Sequence, residues 1–208
     1  MNDRRYLLVK RGLDVTVAGV GLIAISPLFV CIAIAVAYRL GWPVFFTQVR
    51  PGLGGRPFRV YKFRTMRTPD ARRGMKSDED RLTPFGRWLR STSLDELPSL
   101  VNVIKGEMSL VGPRPLLLEY LPLYSERHAQ RHNMKPGLTG HAQVNGRNSI
   151  PWPEKFDLDI DYIEKCSLGF DMRILAQTAL KVIQRDGISA EGHVTVGPFV
   201  GYETNEAD

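Results

Sequence analysis

From Val15 to Ala37 the chain carries no charged residue, and Ser26-Pro27 interrupts this apolar run near its midpoint. As a straight helix with 1.5 Å of rise per residue the run would be roughly 35 Å long, against a bilayer hydrocarbon core of about 30 Å. The segment therefore points to a membrane, but the proline argues against a straight span. Pro27 lacks a backbone donor, its ring meets the carbonyl of Ile23, and it pushes Ser26 away from helical geometry. A sharp bend between two half-length helices is expected. In lipid the freed backbone groups need partners within the protein, and the Ser26 hydroxyl can bond a carbonyl released by the proline.

Basic residues stand on both sides of the run: Arg4, Arg5, Lys10 and Arg11 before it, and Arg39, Arg50, Arg56, Arg59, Lys62 and Arg64 after it. Positive flanks mark the cytoplasmic side, so a segment that enters, bends and returns satisfies the pattern. On the residues alone a kinked spanning helix is the alternative. A cleavable signal peptide fits poorly, because the run exceeds an h-region of about 7–15 residues and no small-residue cleavage site follows it.

The remaining length suits one domain of ordinary size, which divides the chain into a membrane segment over 1–40 and a cytoplasmic domain over 41–208. Residues 1–90 hold 17 Lys+Arg against 6 Asp+Glu, whereas residues 91–208 hold 11 against 16. The basic half adjoins the membrane and suits phospholipid headgroups or a substrate bearing phosphates. It is not gathered on one helix or stripe, which argues against nucleic acid as a partner. With only Cys31 and Cys166, neither a disulfide framework nor a thiolate metal site is supported. His128 and His132 have i, i+4 spacing without a third ligand and are expected on a solvated helix face.

Local patterns give an α+β chain, mainly helical with a small β-hairpin. Val44–Val49 and Phe58–Thr65 read as strands flanking a Gly- and Pro-rich loop, and Trp42, Phe45 and Phe46 suit the membrane–water boundary. Residues 67–81 read as a surface loop, and Phe85–Arg90 as helical. Leu97, Leu100, Val101 and Ile104 mark one face of a helix ended by Gly106. Residues 134–153 form a long segment, dense in Gly, Pro and Asn, of the kind that carries function. Met172, Leu175, Ala176, Ala179, Leu180 and Ile183 follow helical spacing; this amphipathic face is expected to pack on the core, with the membrane interface as the alternative.

Chemistry concentrates at Asp95-Glu96. Ser93-x-x-Glu96 matches a capping box, and acids in a first turn are favoured by the helix dipole, so a purely structural role is available. Pro98 conflicts with a helix that begins at Leu94; a start with Pro98 at its first position removes the conflict. Either placement sets two carboxylates beside free backbone donors, where a phosphate and a divalent cation can both be held. One carboxylate can attack phosphorus while the other holds Mg²⁺, which suits phosphoryl transfer. Arg114, fixed between Pro113 and Pro115, offers a rigid guanidinium to a phosphate. Lys62 and Arg64, two apart on a strand, share one face and can present two charges to one anion.

Tyr61–Met66, Ser93–Leu97, Asn102–Pro115, Lys135–Gly140 and Ala142–Arg147, behind an apolar segment broken at Ser26-Pro27, closely resemble the bacterial sugar transferase family, the monotopic phosphoglycosyl transferases. The resemblance runs from about Arg11 to Thr195. It implies transfer of a sugar 1-phosphate from a UDP-sugar to undecaprenyl phosphate on the cytoplasmic face of the bacterial inner membrane, with release of UMP. It also implies Mg²⁺ at Asp95 and Glu96, and a re-entrant membrane helix marked by Lys10, Arg11, Ser26 and Pro27, with interfacial amphipathic helices. By the same resemblance Asp95 is the nucleophile and Glu96 a metal ligand or base. Lys62, Arg64, Arg90 and Arg114 are the expected phosphate contacts, and Gln143, Asn145 and Arg147 the nucleotide or sugar contacts. Ser189–Thr195 with Arg147-Asn148 looks most like members using UDP-N,N′-diacetylbacillosamine or another acetamido sugar; UDP-glucose, UDP-galactose and UDP-N-acetylglucosamine are the alternatives. A homodimer is left open. A nucleotide-sugar hydrolase or a non-catalytic membrane scaffold are the rival classes, and the scaffold leaves Asp95-Glu96 without a role.

Overall fold

The structure, a computed structural model, describes residues 4–69, 77–146, 150–184 and 197–202. Helix α1 (Arg4–Ala24) and helix α2 (Ser26–Leu40) meet at Ile25 with a bend of 65°. Pro27 stands in the first turn of α2, where its missing donor leaves no helical bond unmade, and the Ser26 hydroxyl donates to the Ile23 carbonyl at 2.8 Å. Among the described residues no single helix is long and apolar enough to cross a membrane; the bent pair meets that test only together. Leu8, Val20, Ile23 and Ile34 face outward along it.

The body follows as β1 (Phe45–Pro51), β2 (Pro57–Phe63), α3 (Asp78–Arg81), α4 (Pro84–Ser91), a 3-10 turn (Leu94–Ser99) and α5 (Leu100–Lys105). It continues with β3 (Ser109–Val111), α6 (Glu126–Ala129), β4 (Gly137–Thr139), α7 (His141–Val144), α8 (Trp152–Lys165) and α9 (Leu168–Gln184). The expected hairpin forms: β1 and β2 pair antiparallel from Phe45 opposite Phe63 to Pro51 opposite Pro57. Its mouth packs under α2, where Ile32, Val36, Val44, Phe63 and Leu89 are buried together. Within the span read as a surface loop, Ser77 and Asp80 form a capping box that starts α3.

Helix α5 is fastened to β2 by a buried asparagine with both ends satisfied. Asn102 Oδ1 accepts from the Tyr61 amide at 3.1 Å, and Nδ2 donates to the Arg59 carbonyl and to Glu107 Oε2, each at 2.7 Å. The Ser99 hydroxyl donates to the Tyr61 carbonyl at 2.7 Å, which sets the 3-10 turn directly over the strand. Gly106 ends α5 as expected, at φ 85°. The segment after Met134 is ordered by parallel pairing of β4 with β3, where the chains approach so closely that a Cβ on Gly137 would stand 2.1 Å from the Gly112 nitrogen.

Lys10 and Arg11, read from the sequence as part of the basic flank of the membrane segment, are bonded within the protein. Arg11 donates to the carbonyls of Val103 and Ile104 at 2.6 and 2.8 Å, satisfying the C-terminal end of α5. Lys10 is buried and donates to Asp171 Oδ2 at 2.8 Å; that carboxylate also accepts from Tyr6 at 3.0 Å and from Tyr162 at 2.7 Å. The amphipathic helix departs from the core expectation. In α9 Asp171 and Ile174 face inward, whereas Met172, Ala176, Ala179 and Leu180 are exposed. The histidines depart too: His128 is buried, its Nδ1 2.6 Å from the Tyr202 hydroxyl and its Nε2 3.1 Å from Asp157 Oδ1. Burial and the adjacent Arg131 cation depress the His132 imidazole to about 4. No group of metal-ligating side chains forms there among the described residues.

The Lys10–Asp171 pair joins the first helix to the last, so its loss should be felt by the whole fold. Lys10→Met leaves Asp171 with its tyrosines but no counter-charge, and a destabilisation of about 3 kcal/mol is expected. Thermal unfolding in detergent, with Lys10→Arg as the charge-preserving control, measures it.

Candidate active site

A cleft of about 810 Å³ opens between the hairpin, the 3-10 turn, the loop after β3 and the first turns of α8. Two groups of rings line it: Phe45 and Phe46 with Pro43, beside the exposed Trp42, and Tyr120, Trp152 and Phe156, which belong to a separate packed cluster. Asp95 and Glu96 line it as well, on the 3-10 turn.

The capping box read at Ser93 does not form. Ser93 adopts φ 56° with no side-chain cap, a conformation that costs a residue with a Cβ about 1 kcal/mol or more. Pro98 sits inside the 3-10 turn rather than at the start of an α-helix. Glu96 is drawn instead to two cations: its Oε1 accepts from Lys62 Nζ at 2.6 Å and from Arg114 Nη2 at 2.9 Å. Burial works against its ionisation, but Arg114 and Lys62 outweigh burial and hold the carboxyl well below the usual carboxylate range.

Asp95 is in the opposite condition. It is buried, lines the cleft, and its carboxylate makes no hydrogen bond among the described residues. Burial and the neighbouring Glu96 charge push its carboxyl up to about 6, against the pull of Lys62, Arg90 and Arg114. Adjacent carboxylates are thus separated in role by their surroundings: Glu96 is an anchored anion, Asp95 an unanchored one.

The cations are themselves held. Arg90 Nε donates to Thr65 Oγ1 at 3.0 Å, and burial depresses its guanidinium. The Arg114 carbonyl accepts from Arg131 Nη2 at 2.8 Å, and Arg131 is paired with Asp159 at 2.6 Å, so Arg114 is fixed from both its ends. Arg64 lines the cleft, but its guanidinium is committed elsewhere: Nη2 reaches the carbonyls of Leu40 and Gly41, and Nη1 that of Trp42 at 3.1 Å. It serves the C-terminal end of α2, while Lys62 on the same strand serves Glu96.

Of the amides, Gln143 lines the cleft, with Nε2 on the Leu138 carbonyl at 3.1 Å and a buried Oε1 that has no partner. Asn145 is exposed and off the cleft lining, its Nδ2 bonded to the His141 carbonyl at 2.8 Å. Arg147, and the Asn148 and Ser189–Thr195 on which the acetamido reading rests, lie outside the described residues. Sequence reading missed Arg50, Arg131 and Lys155, which also line the cleft. Arg131 and Lys155 stand among ordinary-looking charged residues of short or amphipathic helices, and only the packing of α8 turns them inward.

A bacterial sugar transferase family model matches residues 5–185, and the chain belongs to that family. It is an enzyme of the transferase class. It is 50% identical over 197 residues to the uncharacterized sugar transferase EpsL of Bacillus subtilis (strain 168), covering 94% of this chain and 97% of that one. It is 41% identical over 194 residues to the UDP-glucose:undecaprenyl-phosphate glucose-1-phosphate transferase of Xanthomonas campestris pv. campestris, covering 87% of this chain and 40% of that one. The galactosyl transferase CpsE of Streptococcus agalactiae serotype III (strain NEM316) is 39% identical over 194 residues, with 86% of this chain and 42% of that one covered. The chain spans about two fifths of the length of the latter two relatives.

Because the folded carboxyl of Asp95 titrates near 6, above its unfolded value, its ionised form opposes folding. Asp95→Asn should therefore stabilise the protein at pH 8 by an amount on the order of 2–3 kcal/mol. The gain should shrink as pH falls through about 6 and vanish near pH 4, where the native carboxyl is protonated. Melting curves of both proteins across that range check the sign.

Proposed function

We propose that the chain transfers a sugar 1-phosphate from a UDP-sugar to undecaprenyl phosphate, releasing UMP, at the cytoplasmic face of the bacterial inner membrane. The split carboxylate pair carries this reading: Glu96 is held by Lys62 and Arg114, leaving the buried Asp95 facing the cleft as the nucleophile. An Asp95 oxygen attacks the phosphorus bonded to the sugar, the phosphoanhydride bond breaks, and UMP departs with its electron pair. The aspartyl phosphosugar so formed is attacked at the same phosphorus by an oxygen of undecaprenyl phosphate, which restores Asp95 and gives the lipid diphosphosugar. Lys62, Arg90 and Arg114 offset the negative charge that gathers at phosphorus, and they act in a buried cleft where charge interactions are strong.

The donor set fits Mg²⁺, which takes oxygen ligands from one or two carboxylates and completes its shell with waters and substrate phosphates. Asp95 and the Glu96 oxygen not bonded to Lys62 and Arg114 would hold it. When bound it neutralises phosphate charge.

In this reading residues 1–40 form the re-entrant segment and 41–208 the cytoplasmic domain. The bend at Ile25, the exposed Trp42, and the exposed stripe of α9 support a body lying against the bilayer with the Phe45 and Phe46 rings of the cleft toward the phospholipids. The names of the relatives support UDP-glucose or UDP-galactose as donor. A panel that adds UDP-N-acetylglucosamine and UDP-N,N′-diacetylbacillosamine tests the acetamido reading directly.

UMP release by purified protein, with and without undecaprenyl phosphate, is the test. One UDP-sugar is expected to give lipid-dependent turnover, Asp95→Asn to reduce it by at least about 10³-fold, and the rate to fall as pH drops below about 6 with the protonation of Asp95. Incubation with donor alone should add one sugar phosphate to the peptide containing Asp95. Full activity in Asp95→Asn, or sustained UMP release without lipid, would overturn the reading.

A further inference from the structure

The cleft contains a buried cation that the proposed chemistry leaves unused. Lys155, in the second turn of α8, is only 8% exposed and lines the cleft. Its Nζ lies 4.4 Å from the centroid of the Trp152 ring, and among the described residues its side chain makes no hydrogen bond or ion pair. Other cations of the cleft have carboxylate partners: the buried Arg131 is paired with Asp159, and the half-buried Arg114 and Lys62 share Glu96. The stem of Lys155 is buried while its ammonium looks into the cleft with no carboxylate bonded to it among the described residues, and partial burial depresses its ionisation. Such a group persists where a ligand supplies the missing counter-charge.

Its position narrows the ligand. The cations that act most strongly on Asp95 are Lys62, Arg90 and Arg114, whereas Lys155 is placed over the Trp152 ring. Lys155 stands where Tyr120, Trp152 and Phe156 line the cleft; Tyr120 and Phe156 are buried in one cluster, and the half-buried Trp152 is the ring beside the ammonium that a base or sugar can meet. Arg50 links the two regions, close enough to Arg114 for their charges to repel and beside Tyr120 and Tyr124. Positive charge thus continues from the nucleophile toward Trp152, the arrangement that a diphosphate with a stacked base would require.

We propose that Lys155 binds the phosphate of the donor nucleotide that departs with UMP, making it a binding residue beside Trp152 in the cleft. The proposal rests on the UDP-sugar reading above. Its test compares the full chain with Lys155→Met and Lys155→Arg by calorimetry in detergent, using UMP, uridine and pyrophosphate as probes. Methionine keeps the apolar stem on Trp152 and the helix propensity, so the variant should melt no lower than the parent. Lys155→Met is expected to weaken UMP by at least about tenfold and to leave uridine unchanged, with Lys155→Arg recovering most of the loss. Unchanged affinity for both UMP and pyrophosphate would overturn the proposal. So would an equal loss for uridine, which would mark a packing effect, or a loss confined to a UDP-hexuronate, which would move the contact to a sugar carboxylate. If the parent binds pyrophosphate in a Lys155-dependent manner but no uridine compound, the donor reading fails and the phosphate contact stands.

Discussion

The fork at Glu96 is the interaction on which the site depends. One carboxylate oxygen accepts from Lys62 on β2 and from Arg114 on the loop after β3, joining three separate stretches of chain at a single atom. Removing either cation leaves Glu96 a buried anion with half its compensation, and removing Glu96 leaves two cations crowded beside Asp95. The fork also explains how neighbouring carboxylates escape equivalence. Glu96 takes the hydrogen bonds of Lys62 and Arg114, so Asp95 keeps its carboxylate free of them among the described residues, while burial and the Glu96 charge raise its affinity for a proton. A nucleophile needs that freedom; a carboxylate held by two donors is a poor one.

Around this fork the fold spends its buried polar groups on rigidity. Arg131 and Asp159 hold the backbone of Arg114, Asn102 and Ser99 hold the 3-10 turn against β2, and Thr65 holds Arg90. The bent helix pair is joined to the same frame at two places. Lys10 and Arg11 fasten α1 to α9 and α5, and Arg64 fastens the end of α2 to the strand that carries Lys62. The bent pair is therefore not a loose tether: its bend falls beside Ser26-Pro27, α1 is bonded to α5 and α9, and the end of α2 is bonded to Arg64 of the cleft lining.

Much of this was legible in the chain because the signals are local. Pro27 and Ser26 dictate a bend and its hydrogen bond without help from elsewhere, and alternating Lys62 and Arg64 around a Gly-Pro loop dictates a hairpin with both cations on one face. Asp95-Glu96 was legible as a site, but its geometry was not. The capping box was a sound local reading overridden by Lys62 and Arg114, two charges supplied from distant chain. Lys10 and Arg11 misled for the same reason: the positive-inside pattern records where basic residues stand, not whether a partner such as Asp171 lies 161 positions away. The exposed stripe of α9 was visible as a stripe, but which face turned inward depended on Asp171 and its partners, and those come from α1 and α8.

The last consequence concerns how one cleft serves two unlike substrates. Phe45 packs with the apolar flank of α2, Trp152 and Phe156 belong to a separate cluster at the start of α8, and Asp95 lines the same cleft. In the proposed reaction a nucleotide and a lipid each bring phosphate to Asp95, and anions brought together repel. Transfer through Asp95 in two steps would let UMP leave before the lipid phosphate arrives, so that Lys62, Arg90 and Arg114 would meet the nucleotide and the lipid in turn. On this argument the unanchored carboxylate and the limited set of cations around it belong to the same solution. Cations bonded directly to Asp95 would hold its carboxylate as Lys62 and Arg114 hold that of Glu96, and would leave no free oxygen for attack.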